Sequence, residues 1–186
     1  IKETHKAVLK LAKKNHAIIS FDPNIRLPLW SSAEACQETV REFLPDADLV
    51  KLSDEECFFV TGKHSILDAA DWLFEQGCKM VLYSMGKEGA MILTPHFSSH
   101  VENPEVRVKD TTGAGDAIIG AYLYCLAKNH ITVSQLADCL PEQVQEWLTF
   151  AVYYANYSIT KSGAIASYPD YTTFVKWMQE KRKKAH

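Results

Sequence analysis

The chain has 186 residues, which suits one domain with a substantial hydrophobic core. Its apolar fraction of 47% and charged fraction of 23% are typical of a water-soluble globular protein, and its net charge of -3 gives no reason to expect nucleic acid as a partner. No apolar run approaches the length of a membrane span and no signal peptide is visible, so we expect a cytoplasmic protein with no membrane partner.

Strand and helix patterns alternate along the chain. Short apolar runs predict strands at residues 17–21, 48–52, 80–84 and 90–93. Helical spacing and capping residues predict helices at 3–14, from Ser32 to about 43, from Ser53 onward, at 65–76, after residue 116, at 141–160 and at 170–183. Residues 96–109 are predicted to be extended, with turns at Ser98-Ser99 and Asn103-Pro104.

This alternation predicts an α/β layered fold with a mostly parallel central sheet flanked by helices. The chain starts at Ile1 with helical spacing already under way, so we expect residues 1–186 to be a single α/β domain fragment of a longer protein.

The five cysteines are odd in number, and no two of them form a C-x-x-C pair. This pattern favours small buried apolar side chains in a reducing compartment over disulfides or a zinc site. The cysteines are Cys36, Cys57, Cys78, Cys125 and Cys139.

Polar and glycine-rich segments follow the predicted strands. Ligands of parallel sheets bind at the carboxyl ends of the strands, and these segments fall there: Asp22–Asn24, Ser53–Glu56 and Gly86–Gly89, with Gly113–Asp116 opening a helix. The sequence therefore predicts a ligand site at one edge of the sheet.

The most informative segment runs from Asp110 to Asp116. Gly113 and Gly115 directly precede a helix, whose first N–H groups and dipole favour an anion such as a phosphoryl group. The segment is neither a Walker A loop nor a Rossmann fingerprint. Asp116 either complements the helix dipole or, beside a bound phosphoryl group, takes a proton from an attacking hydroxyl.

The sequence DTTGAGDAIIGAY at residues 110–122 resembles the C-terminal signature of the PfkB, or ribokinase-like, family of carbohydrate kinases. The resemblance implies that Asp116 is the catalytic base. It also implies that the backbone of Gly113, Ala114 and Gly115 forms the anion hole for the transferred phosphoryl group.

Two strand-end segments extend the resemblance. Residues 22–30, DPNIRLPLW, resemble a segment of fructokinases and of 2-keto-3-deoxygluconate kinases, and imply that Asn24 and Arg26 contact substrate or phosphate. Residues 53–56, SDEE, stand where the family has N-x-x-E. Glu56 is then expected to bind Mg²⁺ through water, and the alternative is a glutamate that only completes a capping box. Ser53 stands in place of the family's asparagine and is expected to contact the nucleotide less directly.

The remaining segments are similar to the family's nucleotide site. Residues 84–89 match its T/S-x-G-x-x-G turn and imply nucleotide contacts from Ser84, Gly86, Lys87 and Gly89, although such a turn alone predicts only a hairpin. Lys161, Gly163 and Ala164 match its adenine region, where the usual asparagine is replaced by Val152. A monovalent cation, K⁺, would by position take oxygens from Asp110, Thr112, Ser158, Lys161, Gly163 and Ser167.

The resemblance covers nearly the whole chain and implies ATP-dependent phosphorylation of a sugar, with fructose first and 2-keto-3-deoxygluconate or another sugar second. It implies ATP and Mg²⁺ as cofactors and a homodimer for the intact protein. The family's N-terminal part and lid have no counterpart in the 186 residues, so a non-catalytic nucleotide-binding module stays open as the alternative, and so does a remnant with no nucleotide.

Overall fold

The structure is a computed structural model and describes residues 2–184. The helices are α1 Lys2–Lys14, α2 Ala33–Phe43, α3 Asp54–Thr61, α4 Ile66–Glu75, α5 Ala114–Lys128, α6 Pro141–Ser158 and α7 Tyr171–Lys184. The strands are β1 Ser20–Phe21, β2 Leu49–Ser53, β3 Met80–Ser84, β4 Ala90–Leu93 and β5 Ser98–Val101.

The strands form one sheet in the order β1-β2-β3-β4-β5. The pairs β1/β2 and β2/β3 are parallel, whereas β4 is antiparallel to both β3 and β5. Strands β1, β2, β3 and β5 therefore run in one direction and β4 alone runs in the other. The expected α/β fold with a mostly parallel sheet is confirmed.

Helices cover both faces of the sheet, which makes three layers. Along β2, Leu49 packs in the core formed with α5 and α6, while Val50 and Leu52 pack in the core formed with α2, α3 and α4. Because side chains alternate between the faces of a strand, Lys51 lies on the α5 face with Leu49. This alternation puts a lysine between the sheet and the start of α5.

Two sequence predictions of local structure were wrong. Ser98 and Ser99 do not form a turn but begin β5, where they pair with Leu93 and Ile92. The turn lies earlier, closed by the Thr94 N–H bonding to the Phe97 carbonyl at 2.9 Å. The first strand is also shorter than predicted, since only Ser20–Phe21 pair with β2.

All five cysteines are buried and unpaired, as the spacing predicted. Within residues 2–184, no helix is both long enough and apolar enough to span a membrane.

Candidate active site

A glycine that no other residue could replace without strain caps the start of helix α5. Gly113 is its N-cap, with a left-handed φ of 80°. A Cβ at this position would lie 2.8 Å from the Tyr168 hydroxyl oxygen and 2.9 Å from the Cβ of Ala164. The Tyr168 hydroxyl also donates to the Gly113 carbonyl at 2.9 Å. Close packing therefore fixes the backbone at the start of α5.

The first turn of α5 offers free N–H groups. The Ala114 N–H donates to the Thr111 carbonyl at 3.1 Å. The N–H groups of Gly113, Gly115 and Asp116 have no hydrogen-bond partner in the part of the chain that the structure describes. Together with the helix dipole they form a cradle for an anion. The sequence predicted this cradle, but the Ala114 N–H, which was expected to take part, is engaged in the turn.

Lys51 adds a buried positive charge behind this cradle. The residue is 6% exposed, and its Nζ would lie 3.2 Å from a Cβ placed on Gly115. A Cβ at position 115 would crowd the ammonium group, which would have to move by a few tenths of an ångström. Its one hydrogen bond among the described residues goes to the Asp22 Oδ1 at 3.4 Å, so the ammonium group keeps donors for a further acceptor.

Two carboxylates share Lys51. The Lys51 Nζ lies 3.3 Å from the Asp22 Oδ2 and 3.7 Å from the Glu56 Oε2. Burial raises the pKa of Asp22, and the charge of Lys51 opposes that rise. Burial alone would raise the pKa of Glu56 too, but hydrogen bonds from Ile25 and Ser53 and the charge of Lys51 hold it below its ordinary value. Glu56 is therefore a stable anion at the edge of the sheet.

Glu56 and Ser53 form the capping box that the sequence predicted for α3. The Glu56 Oε2 accepts hydrogen bonds from the Ser53 N–H at 3.0 Å and the Ser53 hydroxyl at 2.9 Å. The Glu56 Oε1 accepts one from the Ile25 N–H at 3.0 Å. The same carboxylate thus bonds to the end of β2, to the start of α3 and to the segment after β1.

A groove of about 800 Å³ runs past the cradle along the carboxyl edge of the sheet. It brings together most of the residues predicted to bind nucleotide or phosphate. These are Ser53, Ser84, Gly86, Lys87, Gly89, Ala114 and Gly115. Asp54 and Glu55 lie beside Ser53 in the lining. The other wall is largely apolar and includes Pro104, Val106, Val108, Ile118, Val152, Ala155 and Ile159, with the polar residues Asn103, Glu105, Thr111 and Asn156 among them. An anion cradle that continues into an apolar slot suits a phosphorylated ligand with a flat apolar part.

The turn from β3 to β4 is rigidly held. Gly89 has a φ of 97°, and a Cβ there would lie 2.0 Å from the Val101 carbonyl oxygen. The carbonyl of Gly86 accepts a hydrogen bond from the Asn103 side chain at 2.8 Å. The turn is thus fastened to β5 and to the segment that follows it.

Asp116 is exposed and is not among the residues that line the groove. It lies on a second, apolar cavity of about 300 Å³, whose walls are Ala117, Gly120, Ala121, Tyr124, Phe150, Tyr154, Tyr168, Pro169, Tyr171 and Phe174. Burial, together with the charge of Asp116, raises the pKa of Tyr168. The carboxylate therefore belongs to the same helical turn as the cradle but borders a different cavity from the groove.

The loops at 110–112 and 158–167 pack together below the cradle. The Asp110 carboxylate accepts hydrogen bonds from the N–H of Gly163 at 2.8 Å and of Thr112 at 3.0 Å, and these bonds lower the pKa of Asp110 to about 2. The hydroxyls of Ser158 and Ser167 donate to neighbouring backbone carbonyls, both at 2.7 Å. The residues predicted to hold a monovalent cation thus lie in one cluster, but their carboxylate and hydroxyl groups are engaged within it.

Several predicted residues do not line the groove, and Gly113 and Glu56 are among them. Asn24 has a φ of 43° and donates its N–H to Asp22, and the Arg26 guanidinium donates to the Ile25 carbonyl. Lys161 is exposed, with its Nζ 4.6 Å from the centre of the Tyr157 ring. Gly163 and Ala164 support the cradle through Asp110 and Gly113 and do not face the groove.

Basic side chains also surround an open cavity of about 630 Å³ elsewhere on the surface. Arg107, Lys109 and Lys181 lie around it beside Trp177. The cavity shares Val106 and Val108 with the groove wall but contains no residue of the cradle.

Four residues that the structure places at the site had no role predicted from the sequence: Lys51, Asp22, Asn103 and Asn156. Lys51 could have been found, because a lone charge in the apolar run LVKL is expensive to bury without a partner. Asp22 was predicted to lie at the ligand edge of the sheet, within the segment Asp22–Asn24, but its side chain was given no role. The pairing of Asn103 with Asn156 gives no local signal, because the two residues are 53 positions apart.

Comparisons with known proteins point to one family of kinases. The model of the pfkB family of carbohydrate kinases matches residues 1–171. The chain is 34% identical over 166 residues to fructokinase-2 of Solanum lycopersicum, covering 89% of this chain and 49% of that protein. It is 36% identical over 180 residues to probable fructokinase-5 of Arabidopsis thaliana, covering 96% and 54%.

Solved structures show the same likeness. The fructokinase of Xylella fastidiosa with bound ATP superposes with a TM-score of 0.88 at 27% identity, covering 96% of this chain and 56% of that one. A fructokinase variant of Vibrio cholerae O395, bound to fructose, ADP and potassium ion, superposes with a TM-score of 0.82 at 29% identity, covering 95% and 55%. The chain spans about half the length of the curated relatives that it matches.

Proposed function

The chain belongs to the pfkB family of carbohydrate kinases, and from that membership we propose that the protein transfers the terminal phosphoryl group of ATP to a sugar hydroxyl, with fructose as the acceptor. The observation that carries the proposal is the start of α5. The N–H groups of Gly113, Gly115 and Asp116 are free, the buried ammonium group of Lys51 lies beside Gly115, and Gly115 lines a groove of about 800 Å³. Phosphoryl transfer needs mainly positioning and charge stabilisation, and this arrangement supplies both.

The residues of the cradle have separate roles in this proposal. The N–H groups of Gly113, Gly115 and Asp116 bind the phosphoryl oxygens, and Lys51 neutralises charge that builds up on them. The Asp116 carboxylate takes the proton of the attacking hydroxyl as general base. The groove residues Ser53, Ser84, Gly86, Lys87 and Gly89 hold the rest of the nucleotide.

The donor set fits Mg²⁺ through water. The Glu56 Oε2 already accepts two hydrogen bonds from Ser53, but the Oε1 accepts only one, from Ile25, and keeps a position for a metal-bound water. Among residues 2–184, no group of three or more His, Cys, Asp or Glu side chains could hold a metal. Mg²⁺ would therefore take its other ligands from phosphate and water, and when bound it would neutralise phosphate charge.

The donor set also fits a monovalent cation at the predicted cluster. The backbone carbonyls of Asp110, Thr112, Lys161 and Gly163 accept no hydrogen bond from the described residues. The Ser158 carbonyl, in contrast, accepts one from the Lys161 N–H at 3.1 Å. Free carbonyls suit K⁺, which would add positive charge beneath the cradle when bound.

A non-catalytic nucleotide-binding module is the second candidate. The observation in its favour is that Asn24 and Arg26, the residues expected to contact the acceptor, do not line the groove. On this view the chain binds ATP or ADP without transferring phosphate.

The test is ADP release from Mg-ATP with fructose, ribose, 2-keto-3-deoxygluconate or adenosine as acceptor. Both this chain and the longest product of its gene are assayed. Turnover with fructose above the other acceptors supports the proposal, and turnover by the longer product alone assigns this chain the nucleotide half of the site. Binding of ATP without turnover on any acceptor would favour the module, and absence of ATP binding would contradict both.

A further inference from the structure

The side-chain amide of Asn156 has a fixed orientation in the groove wall. The residue is 4% exposed. Its Nδ2 donates to the Asn103 Oδ1 at 2.7 Å and to the Val152 carbonyl at 2.9 Å. An amide nitrogen carries two hydrogens, so both are used. The amide cannot flip without losing these bonds, so its oxygen, Oδ1, is the group left to bind a ligand.

That oxygen is a free acceptor that a ligand can reach. The Asn156 Oδ1 accepts no hydrogen bond within residues 2–184. It is not sealed inside the protein, because none of the fully buried side-chain nitrogen and oxygen atoms of the described residues lacks a partner. Since Asn156 lines the groove, this oxygen faces the ligand space.

A second asparagine makes the arrangement rigid. The Asn103 Nδ2 donates to the Gly86 carbonyl at 2.8 Å while its Oδ1 accepts from Asn156. The two amides therefore link the β3–β4 turn to α6. A ligand meets the Asn156 oxygen already in place, so little conformational entropy is lost on binding.

The surroundings of this acceptor suit a purine. Val152 and Ala155 on α6 and Ile118 on α5 form an apolar slot that continues from the phosphate cradle. A single fixed acceptor in such a slot distinguishes donors from acceptors on the edge of a flat base. The 6-amino group of adenine donates a hydrogen bond, whereas the 6-oxo group of hypoxanthine or guanine presents lone pairs.

We infer that Asn156 selects adenine nucleotides by accepting a hydrogen bond from the 6-amino group through its Oδ1, with Asn103 as the residue that positions it. The inference rests on the proposed nucleotide function of the groove and assigns the base specificity of that site.

The first test needs no variant. Isothermal titration calorimetry of the full chain with Mg²⁺ compares ATP with ITP, which carries 6-oxo, and with purine riboside triphosphate, which has no 6-substituent. We expect ATP to bind at least about tenfold more tightly than ITP, because ITP loses one buried hydrogen bond and brings its 6-oxo acceptor against the acceptor of Asn156. Purine riboside triphosphate loses the hydrogen bond only and should bind with intermediate affinity. Equal binding of ATP and ITP would overturn the inference.

The second test uses Asn156→Ala, with retained folding checked by circular dichroism. The ATP/ITP ratio should fall to within about threefold of unity, because the discriminating acceptor is gone. Asn129→Ala is the matched control, since the Asn129 Nδ2 makes the same bond to the carbonyl four residues earlier, at 2.8 Å, but lies outside the groove lining. It should leave the ratio unchanged.

The outcomes separate the inference from the function on which it rests. If the wild type binds ATP and Asn156→Ala keeps the wild-type ratio, the nucleotide site stands and the role of Asn156 is refuted. If the wild type binds none of the three nucleotides, the proposed function itself fails and the inference fails with it.

Discussion

Replacing Lys51 by Met should destabilise the fold strongly, because it leaves two buried carboxylates without their cation. The side chains of Lys51, Asp22 and Glu56 are 8%, 17% and 12% exposed. At an effective dielectric constant of about 20, a unit pair 3.3 Å apart attracts by about 5 kcal/mol before desolvation. Removing one partner of a buried pair costs about 3–5 kcal/mol. We expect the free energy of unfolding, measured in urea at neutral pH, to fall by about that amount.

The same substitution should change the pH dependence of stability. Burial raises the pKa of Asp22 and Lys51 lowers it, so Lys51→Met raises that pKa further. An acid whose native pKa is raised favours folding when protonated and opposes it when ionised. The destabilisation should therefore be smallest near the ordinary pKa of 3.8 and grow as the pH rises through the raised pKa.

Lys13→Met is the control. Lys13 pairs with Asp46 on the surface, where the two side chains are 51% and 36% exposed. A pair of this kind contributes about 1 kcal/mol or less. Equal losses of stability from the two variants, with no difference in pH dependence, would refute the role given to Lys51.

Three further substitutions and one control substitution test the site. Asp116→Asn in the intact protein should lower kcat by about 10²–10⁴-fold with ATP affinity unchanged, and steady-state kinetics showing full turnover would remove its role as base. Gly113→Ala should lower the free energy of unfolding by about 2 kcal/mol or more, because an alanine there would adopt a left-handed conformation and its Cβ would lie 2.8 Å from the Tyr168 hydroxyl oxygen. Its control, Gly120→Ala, has open space around its Cβ and should raise the free energy of unfolding by about 0.5–1 kcal/mol. Thermal unfolding that ranks the two variants otherwise would contradict the geometry. Glu56→Gln should destabilise the fold most at neutral pH. The lowered native pKa of Glu56 stabilises the fold above the ordinary pKa of 4.5, and this stabilisation is lost as the pH falls through the native pKa. A loss of stability that is independent of pH in urea titrations would contradict the stabilising role of the Glu56 carboxylate.

Much of the fold follows from local pattern. The capping box of Ser53 and Glu56 gave the start of α3, and the glycines of residues 113–115 gave the start of α5, because capping and positive φ depend on neighbours in sequence. The turn wrongly predicted at Ser98-Ser99 shows the limit of this reasoning. Serine favours turns in isolation, but pairing with β4 decides its conformation in the protein.

Site residues that lie within one segment of the sequence could be predicted, whereas residues brought together from distant segments could not. The anion cradle lies within residues 113–116 and was evident from the sequence. The cluster of Lys51 with Asp22 depends on the register of β1 beside β2, and the Asn103–Asn156 pair depends on how α6 packs against the segment after β5. Such contacts are tertiary, so no local sequence pattern predicts them.

The most direct test of the groove as a nucleotide site is an NMR titration of ¹⁵N-labelled chain with Mg-ADP. We expect the largest amide shifts at Gly113, Gly115 and Asp116, with further shifts of the Asn103 and Asn156 side-chain amides, because the phosphates and the base would lie against them. Shifts concentrated instead around the basic cavity of Arg107, Lys109 and Lys181, with the start of α5 unchanged, would contradict the assignment of the nucleotide to this groove.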